Sequence, residues 1–358
     1  MRTALSDRLG IDHAIVQAPM AGGWTTPALV AAVSEAGGLG TLAAGRVTAE
    51  QLGEHIAETR RLTHRPFGVN FVLAPPMPEA GDDPRAHDLL REIRERLGLP
   101  TQPAPPAPAT DFVAVDDGIA MAIEARVPVI SIAMGSPARW SERIRAAGAV
   151  LVAAATTVAD AEELERAGAD VIVAQGAEAG GHRSLLAAEV PEPVPLVGTM
   201  ALLPAIVDAV RVPVLAAGGI MDGRGIVAAL ALGAQGVQLG TRFLVAAESG
   251  APPSYRRRLI AAVETETAVT TAYSGRPARG LRNAFLDAFE STAVGPLGWP
   301  RMGAAALDIY RVSLAADGEW TPLFAGQGVR LARREQPASE ILRELVAEAA
   351  AVRARLPG

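Results

Sequence analysis

Eight short apolar runs recur along the first 240 residues of this chain, and that rhythm constrains the fold more than any other feature. The runs are IVQA (15–18), GLGTLA (38–43), FGVNFVL (67–73), VPVISIA (127–133), AVLVAAA (149–155), DVIVAQ (170–175), VPVLAA (212–217) and GVQLG (236–240). They are apolar at nearly every position, as parallel strands buried on both faces require. Helical patterns fill the intervals. TTPALVAAVSEAG offers Thr26 as N-cap, Pro27 in the first turn and Gly37 as C-cap, and TTVADAEELERAG and GRGIVAALALG close the same way. Eight strand–helix units in a row predict an α/β protein, a (β/α)8 TIM barrel. A doubly wound sheet uses the same units, because closure is not written in the sequence.

The chain has 358 residues, more than one small domain needs. The rhythm assigns 1–244 to the barrel, with a proline-rich excursion at 74–110. There PPMPEAGDDPRA and PTQPAPPAPA flank the helical HDLLREIRERL, and the expectation is a surface excursion with extended linker. Residues 245–306 are expected to form a smaller, mainly helical lid domain after strand eight. Residues 307–358 are the C-terminal segment, whose amphipathic ASEILRELVAEAAAVRARL packs back on the barrel.

Composition removes whole classes of chemistry. The chain has no cysteine, which excludes disulfides, thiolate nucleophiles and cysteine metal sites. All 33 basic residues are arginine, so Schiff-base lysine chemistry and the P-loop lysine are excluded too. The net charge is −6 and no basic cluster exceeds RRR at 256–258, which argues against a nucleic-acid partner. No apolar stretch is long enough to span a bilayer and MRTALSDRLG has no signal-peptide core, so a soluble cytoplasmic protein is expected. No histidine–carboxylate spacing suggests a metal site. Oligomeric state stays open, with a homo-oligomer among the alternatives.

The ends of the predicted strands carry the candidate chemistry, since barrels of this type bind ligands there. Strand seven ends in AAGGIMDGRG, where Gly218 and Gly219 precede a helix starting near Asp222; strand eight ends in QLGTRF, with Gly240 and Thr241. Glycines admit close backbone approach, and helix-start N–H groups suit a phosphate. GLGTLA has the spacing of a dinucleotide fingerprint but follows a helix and opens a strand, so it reads as a helix cap and turn. Asn70 and Gln175 are amides at strand ends in apolar company. Each is either a structural hydrogen bond to a neighbouring loop or a donor–acceptor pair for a planar heterocycle. His182, in QGAEAGGHRS, follows a strand end by seven residues behind two glycines, and imidazole suits proton transfer near neutrality. His13, His55, His64 and His87 are treated as surface residues. Arg276 and Arg279, in SGRPARG, are candidates for anchoring the lid or meeting an anion. For Arg279 a solvated surface position is the better expectation.

With these segments assembled, the chain resembles the nitronate monooxygenase family, formerly called 2-nitropropane dioxygenases. The resemblance runs through IVQAPMAGGWTTPALVAAVSEAGGLG, PFGVNF, QGAEAGGHRS, PVLAAGGIMDGRGIVAALALGAQGVQLGTRF, AYSGRPARGLRN and FAGQGVRLA, covering most of the chain outside 74–127. It implies an FMN-dependent (β/α)8 barrel that oxidises alkyl nitronates with O2 to a carbonyl compound and nitrite. Ala18, Pro19 and Met20 would lie against the isoalloxazine, and Asn70 and Gln175 would hold its polar edge. Gly180, Gly219, Gln238, Gly240 and Thr241 would hold the ribityl phosphate arm, with Gly218 and Leu239 also on the cofactor side. His182 matches the family's catalytic histidine. Ser184 stands where relatives often have glycine, SIAMGSP replaces a more aromatic strand, and tyrosines and a lysine used by some members are reduced here to three tyrosines and no lysine. The rival reading is an NAD(P)H-dependent flavin reductase acting on quinone or on an enoyl thioester. The related enoyl reductases share EAGGH but have a first strand closer to QGGM than to QAPM. Inosine-monophosphate dehydrogenases share the phosphate region but need a cysteine. A non-catalytic flavin binder is the remaining alternative.

Overall fold

A computed structural model describes residues 2–102, 113–187 and 189–356. The eight predicted runs all form strands: β1 (Ile15–Gln17), β2 (Gly40–Ala43), β3 (Phe67–Val72), β4 (Val129–Ala133), β5 (Val150–Ala155), β6 (Val171–Gln175), then, after the two-residue β7 (Gly181–His182), β8 (Val214–Ala217) and β9 (Gly236–Leu239). Their order is β1-β9-β8-β6-β5-β4-β3-β2, and every pairing is parallel. The two ends meet. Leu39 N donates to Ile15 O at 2.9 Å and Gln17 N donates to Leu39 O at 2.9 Å, with Val16 and Leu39 bridged in parallel. The sheet is thus a closed barrel rather than a doubly wound sheet, and closure removes both edges.

Strand parity sorts the side chains. Val16, Val129, Val152, Val171, Val173, Leu215 and Ala217 pack together inside the lower barrel, with Leu5, Leu9 and Ile11 of the N-terminal segment among them. Ile15, Ala153, Ile172, Val214, Val237 and Leu239 belong instead to the core that also takes in the surrounding helices. Two-residue steps up from the apolar interior place Ser131 above Val129 and Gln175 above Val173, at the C-terminal ends of the strands.

The helices begin as the sequence implies. Thr26 caps Pro27–Glu35 through a bond from Leu29 N, and Gly37, at φ 92°, ends the turn that follows. A Cβ on Gly40 would lie 2.3 Å from Val30 O, so GLGTLA uses its glycine for close helix–strand packing. The C-terminal helix Ala338–Arg353 buries Ile341, Leu342, Leu345 and Ala349 in the barrel's outer core, as its amphipathic pattern predicts.

Beyond the barrel, helices Pro253–Ala261, Ala284–Thr292, Arg301–Ala305 and Leu307–Ala315 are joined by two strands, β10 (Thr267–Thr270) and β11 (Ala278–Leu281). β11 pairs antiparallel with both β10 and β7, setting His182 opposite Ala278. His182 therefore sits on a short edge strand rather than on a free loop. The excursion helix Arg85–Arg96 is not a simple surface feature. Its Leu89, Leu90 and Ile93 pack with Tyr273, Phe285, Phe289 and Ile309 in a second core, and buried Arg94 pairs with Asp308 at 2.8 Å. The helix itself is legible in the sequence; its partner, some 200 residues away, is not. The proline-rich stretch at 103–112 lies outside the described residues.

Candidate active site

Three glycine loops and two amides converge on the C-terminal mouth. Asn70 and Ser131 are register partners on β3 and β4, and Asn70 Nδ2 donates to Ser131 Oγ at 3.1 Å, leaving its carbonyl oxygen without a hydrogen bond among the described residues. Ser131 had no distinguishing mark in the sequence; only the register reveals it. Gln175 makes the structural bonds that one of its two readings expects. Its Nε2 donates to His182 O at 3.0 Å and its Oε1 accepts from Ser184 N at 2.9 Å, so the amide clamps the turn that carries the histidine.

Ser184 is equally engaged. Its hydroxyl donates to Ala154 O at 3.0 Å and accepts from Met134 N at 3.0 Å, tying the tops of β4 and β5 to the β7 turn. A glycine there would leave Met134 N–H buried without that acceptor. Met134 has φ 61°, an uncommon conformation for a non-glycine residue, and this bond helps hold it.

Around the cradle, the structure brings Ala18 beside Gly240: Ala18 N donates to Leu239 O at 2.9 Å, and a Cβ on Gly240 would lie 3.7 Å from Ala18 Cβ. Pro19 and Met20 are half-buried at the same strand end, and Met20 N donates to Thr25 Oγ1 at 2.9 Å. Gln238 is half-buried and pairs with Ala217 and Val16, whereas the Leu239 side chain is buried in the outer core, so only its backbone faces the mouth. Gly218 (φ 114°) and Gly219 (φ 72°) adopt left-handed conformations. A Cβ on Gly218 would lie 2.9 Å from Thr199 Oγ1, and one on Gly180 would lie 2.6 Å from the Ala325 carbonyl carbon. Gly180 thus lets FAGQGV approach, a contact that the local sequence does not show.

One expectation fails. The start of helix Gly223–Ala231 does not offer its N–H groups to a phosphate. Asp222 Oδ1 already accepts from Arg224 N at 2.9 Å, and Glu348 Oε2 accepts from Gly223 N at 3.0 Å. A carboxylate at a helix N-terminus satisfies the orphan donors and the dipole together. Among the described residues, the backbone N–H groups of Gly219, Gly240 and Thr241 meet no acceptor. They lie at the ends of adjacent strands β8 and β9, and the Thr241 hydroxyl accepts from Gly326 N at 2.9 Å. Unsatisfied backbone donors at the ends of two adjacent strands fit a phosphate-bearing cofactor at these loops.

His182 is held on several sides. Its Nε2 is 2.8 Å from Ser274 Oγ, and its ring lies 5.3 Å from Trp299, edge-on, and 5.2 Å from Phe324. Solvent still reaches part of the ring, yet burial, reinforced by the charges of Arg276 and Arg46, lowers its pKa to about 4. The imidazole is neutral at neutral pH. Ser274, Trp299 and Phe324 were missed in the sequence because nothing local distinguishes them. The other histidines are consistent with non-catalytic positions: His64 and His87 are exposed, and His13 and His55 half-buried away from the mouth.

Arg279 is not solvated as expected. It is 6% exposed, its Nε donates to Ala177 O at 2.8 Å, and it reaches Thr267 Oγ1 at 3.2 Å. Arg276 is 1% exposed and donates to Ala187 O and Pro75 O at 3.3 and 3.2 Å, tying its own loop to the segments that follow β7 and β3. Arg183, also buried, donates to Gly176 O at 2.6 Å and Gln175 O at 2.9 Å. These guanidinium groups donate to backbone carbonyls, and the Glu178 carboxylate lies near enough to act on Arg183 and Arg279.

The tyrosines hold the fold. Tyr255 OH donates to Phe324 O at 2.5 Å, Tyr310 OH to Tyr273 O at 2.8 Å, and Tyr273 OH lies 3.0 Å from Leu281 O and 2.9 Å from Asn283 Oδ1. Burial raises all three pKa values far above the ordinary phenol. Each therefore keeps its proton at neutral pH with its hydroxyl bonded to another oxygen, so none supplies a phenolate base.

A closed parallel barrel with glycine loops after its last two strands, and a half-buried histidine on a short strand at the same mouth, places the chain in the TIM-barrel class of enzymes that carry their sites at the C-terminal ends of the strands. The particular family follows from comparison. The family model for nitronate monooxygenase matches residues 2–348, and the chain belongs to that family, whose members in general depend on a flavin. It is 39% identical over 348 residues to a probable nitronate monooxygenase of Staphylococcus haemolyticus, covering 96% of this chain and 95% of that one. Among solved structures, a nitroalkane oxidase from Streptomyces ansochromogenes superposes with a TM-score of 0.91 at 38% identity, covering 99% of this chain and 100% of that one. FabK from Thermotoga maritima superposes with a TM-score of 0.77 at 31% identity, covering 99% and 98%. No described helix is long and apolar enough to cross a membrane, and no described group of side chains could hold a metal ion.

Proposed function

We propose that this enzyme is an FMN-dependent cytoplasmic oxidase of alkyl nitronates, using O2 to yield a carbonyl compound and nitrite. The observation that carries the reading is a neutral His182 facing a mouth whose buried charges are cationic. That field suits an anionic substrate, and the uncharged ring adds no repulsion of its own. The flavin, when bound, supplies the electron-accepting centre that passes electrons to dioxygen. Residues 1–244 would hold the cofactor, 245–306 would cover the substrate, and 307–358 would brace the barrel.

In this reading Gly219, Gly240 and Thr241 offer backbone N–H groups to the single phosphate of FMN. Gly180 and Gly218 keep the adjoining loops low enough for its ribityl arm, and Gln238 borders that arm. Ala18, Pro19, Met20 and the Leu239 backbone line the ring side. Asn70, oriented by Ser131, offers its amide to the polar edge of the ring, while Gln175 acts through the turn it clamps. Ser274 fixes the His182 ring, which accepts a proton from a neutral nitroalkane and orients a substrate that is already ionised. Trp299 and Phe324 pack against that ring and shield part of it from solvent.

The likeness to FabK favours a second reading, a reduced-nicotinamide-dependent flavin reductase. Anaerobic mixing of the yellow protein with an alkyl nitronate and, separately, with NADH and NADPH decides between them. Bleaching by the nitronate alone supports the first reading; bleaching by a nicotinamide alone overturns it.

A further inference from the structure

We infer that Asp82 and Arg301 are positioning residues for the His182 site: together they hold Trp299 against the histidine, which makes the segment after β3 part of that site. The inference rests on the nitronate reading for what His182 does, not for what covers it.

Trp299 meets the His182 ring edge-on, with ring centres 5.3 Å apart. Its polar bonds run to the segment that leaves β3. Trp299 Nε1 donates to Ala74 O at 3.2 Å, and Met77 N donates to Trp299 O at 2.7 Å. Asp82 then pins the residues on either side of the indole. Its Oδ1 accepts from Gly298 N at 2.6 Å, and Arg301 meets both carboxylate oxygens, Nη2 to Oδ1 at 2.6 Å and Nε to Oδ2 at 2.7 Å. The same guanidinium donates to Met77 O at 2.8 Å and Pro78 O at 3.0 Å. Asp82 and Arg301 therefore bracket Trp299 by bonds between stretches 216 to 225 residues apart in sequence. The pair is two-pronged and its side chains are only 18% and 27% exposed, so it fixes geometry as an exposed single contact does not. Arg301 also holds the Asp82 carboxyl below the usual carboxylate range, and the pair is ionised at neutral pH.

The other side of the bracket is pressed onto the turn that carries Ser274. Gly275 has φ 85°, and a Cβ there would lie 2.4 Å from both Leu297 O and Trp299 N, an approach only glycine permits. Arg276, next in that turn, donates to Pro75 O at 3.2 Å. The segment after β3, the residues around Trp299 and the Ser274 turn are thus tied to one another, and two of the three touch the His182 ring. Asparagine at 82 would keep one acceptor oxygen and turn an amide N–H₂ toward groups that are themselves donors. The bracket would loosen, Trp299 would leave the ring, and solvent would take its place.

The test uses flavin-loaded holoenzyme carrying Asp82→Asn, Trp299→Ala, both, or Asp308→Asn, which breaks the Arg94 pair in the second core. The first readout is the rate at which diethyl pyrocarbonate modifies His182 at neutral pH, followed by peptide mass spectrometry. Each of the first two variants should speed it about tenfold through local opening. The double variant should match Trp299→Ala, because Asp82 acts through the indole. Asp308→Asn should lower the melting temperature and leave the rate unchanged. The second readout is the His182 Cε1 proton resonance against pH. The charges of Arg276 and Arg46 that act on the ring stay in place, so Asp82→Asn should raise the pKa from about 4 toward 6.5 as water enters. Loss of a carboxylate charge alone would move it the other way. An unchanged rate or an unraised pKa in Asp82→Asn, additive effects in the double variant, or an equal effect of Asp308→Asn overturns the inference. If Asp82→Asn fails to fold, Arg301→Lys, which keeps the charge but not the two-pronged pair, makes the same comparison. If the parent turns over no nitronate, the proposed function falls, and the modification of His182 still decides the bracket.

Discussion

Replacing His182 by asparagine tests the site most directly. Asparagine keeps polar reach toward Ser274 but accepts no proton near neutrality. In this structure the ring's pKa is lowered from 6.5 to about 4, chiefly by burial. At 1.36 kcal/mol per unit, that is a preference of about 3 kcal/mol for the neutral ring. The ring is therefore always in its accepting form at pH 7, but the imidazolium formed by taking a proton is disfavoured until an anion sits beside it. General bases contribute about 10²–10⁴-fold, and a base this weak belongs at the lower end. His182→Asn should thus lower kcat/KM on neutral nitroethane by about 10² and on pre-formed ethyl nitronate by much less, measured by oxygen uptake and nitrite release. The parent enzyme should show no inflection near pH 6.5, its acid limb falling nearer pH 4. Stability gives a second reading of the same number. The folded ring binds its proton more weakly than the unfolded one, so lowering pH from 6.5 toward 4 should cost the parent protein up to about 3 kcal/mol that His182→Asn does not lose. Equal losses on both substrates would refute proton acceptance as the role of His182. An inflection near 6.5 that vanishes in the variant would refute the depressed pKa.

Other expectations follow from single contacts. Gly218→Ala adds a Cβ 2.9 Å from Thr199 Oγ1 at φ 114°, so the purified variant should carry less flavin and melt lower, by strain of about 1–3 kcal/mol; full flavin content would contradict the cradle. Ser184→Gly removes the acceptor for Met134 N–H and should cost about 1–3 kcal/mol in urea unfolding, with an unchanged midpoint as the contrary result. Heat release and chromatography should yield FMN, since the loops offer one phosphate cradle; stoichiometric FAD would contradict it.

The local sequence determined the strands, their capped helices and the glycine loops, because strand runs, N-caps and left-handed turns are set within a few residues. It also singled out His182 and the amides at strand ends. Tertiary structure decided the rest. Whether the eight strands close depends on Val16 meeting Leu39, and no local pattern encodes that bridge. The helix after Gly219 looked open to a phosphate, until Glu348, 125 residues beyond Gly223, took one of its donors. Gln175 looked equally suited to a heterocycle or a loop, and only the return of the His182 turn shows which backbone groups its amide holds. Arg279 read as solvated because its carbonyl partner, Ala177, is 102 residues away. Ser274, Trp299 and Phe324 are ordinary residues in sequence and become the surroundings of His182 only when the chain after the barrel folds back onto the β7 turn. Charge and burial at an active site are sums over everything within a few ångströms, and most of what lies that close to His182 is distant along the chain.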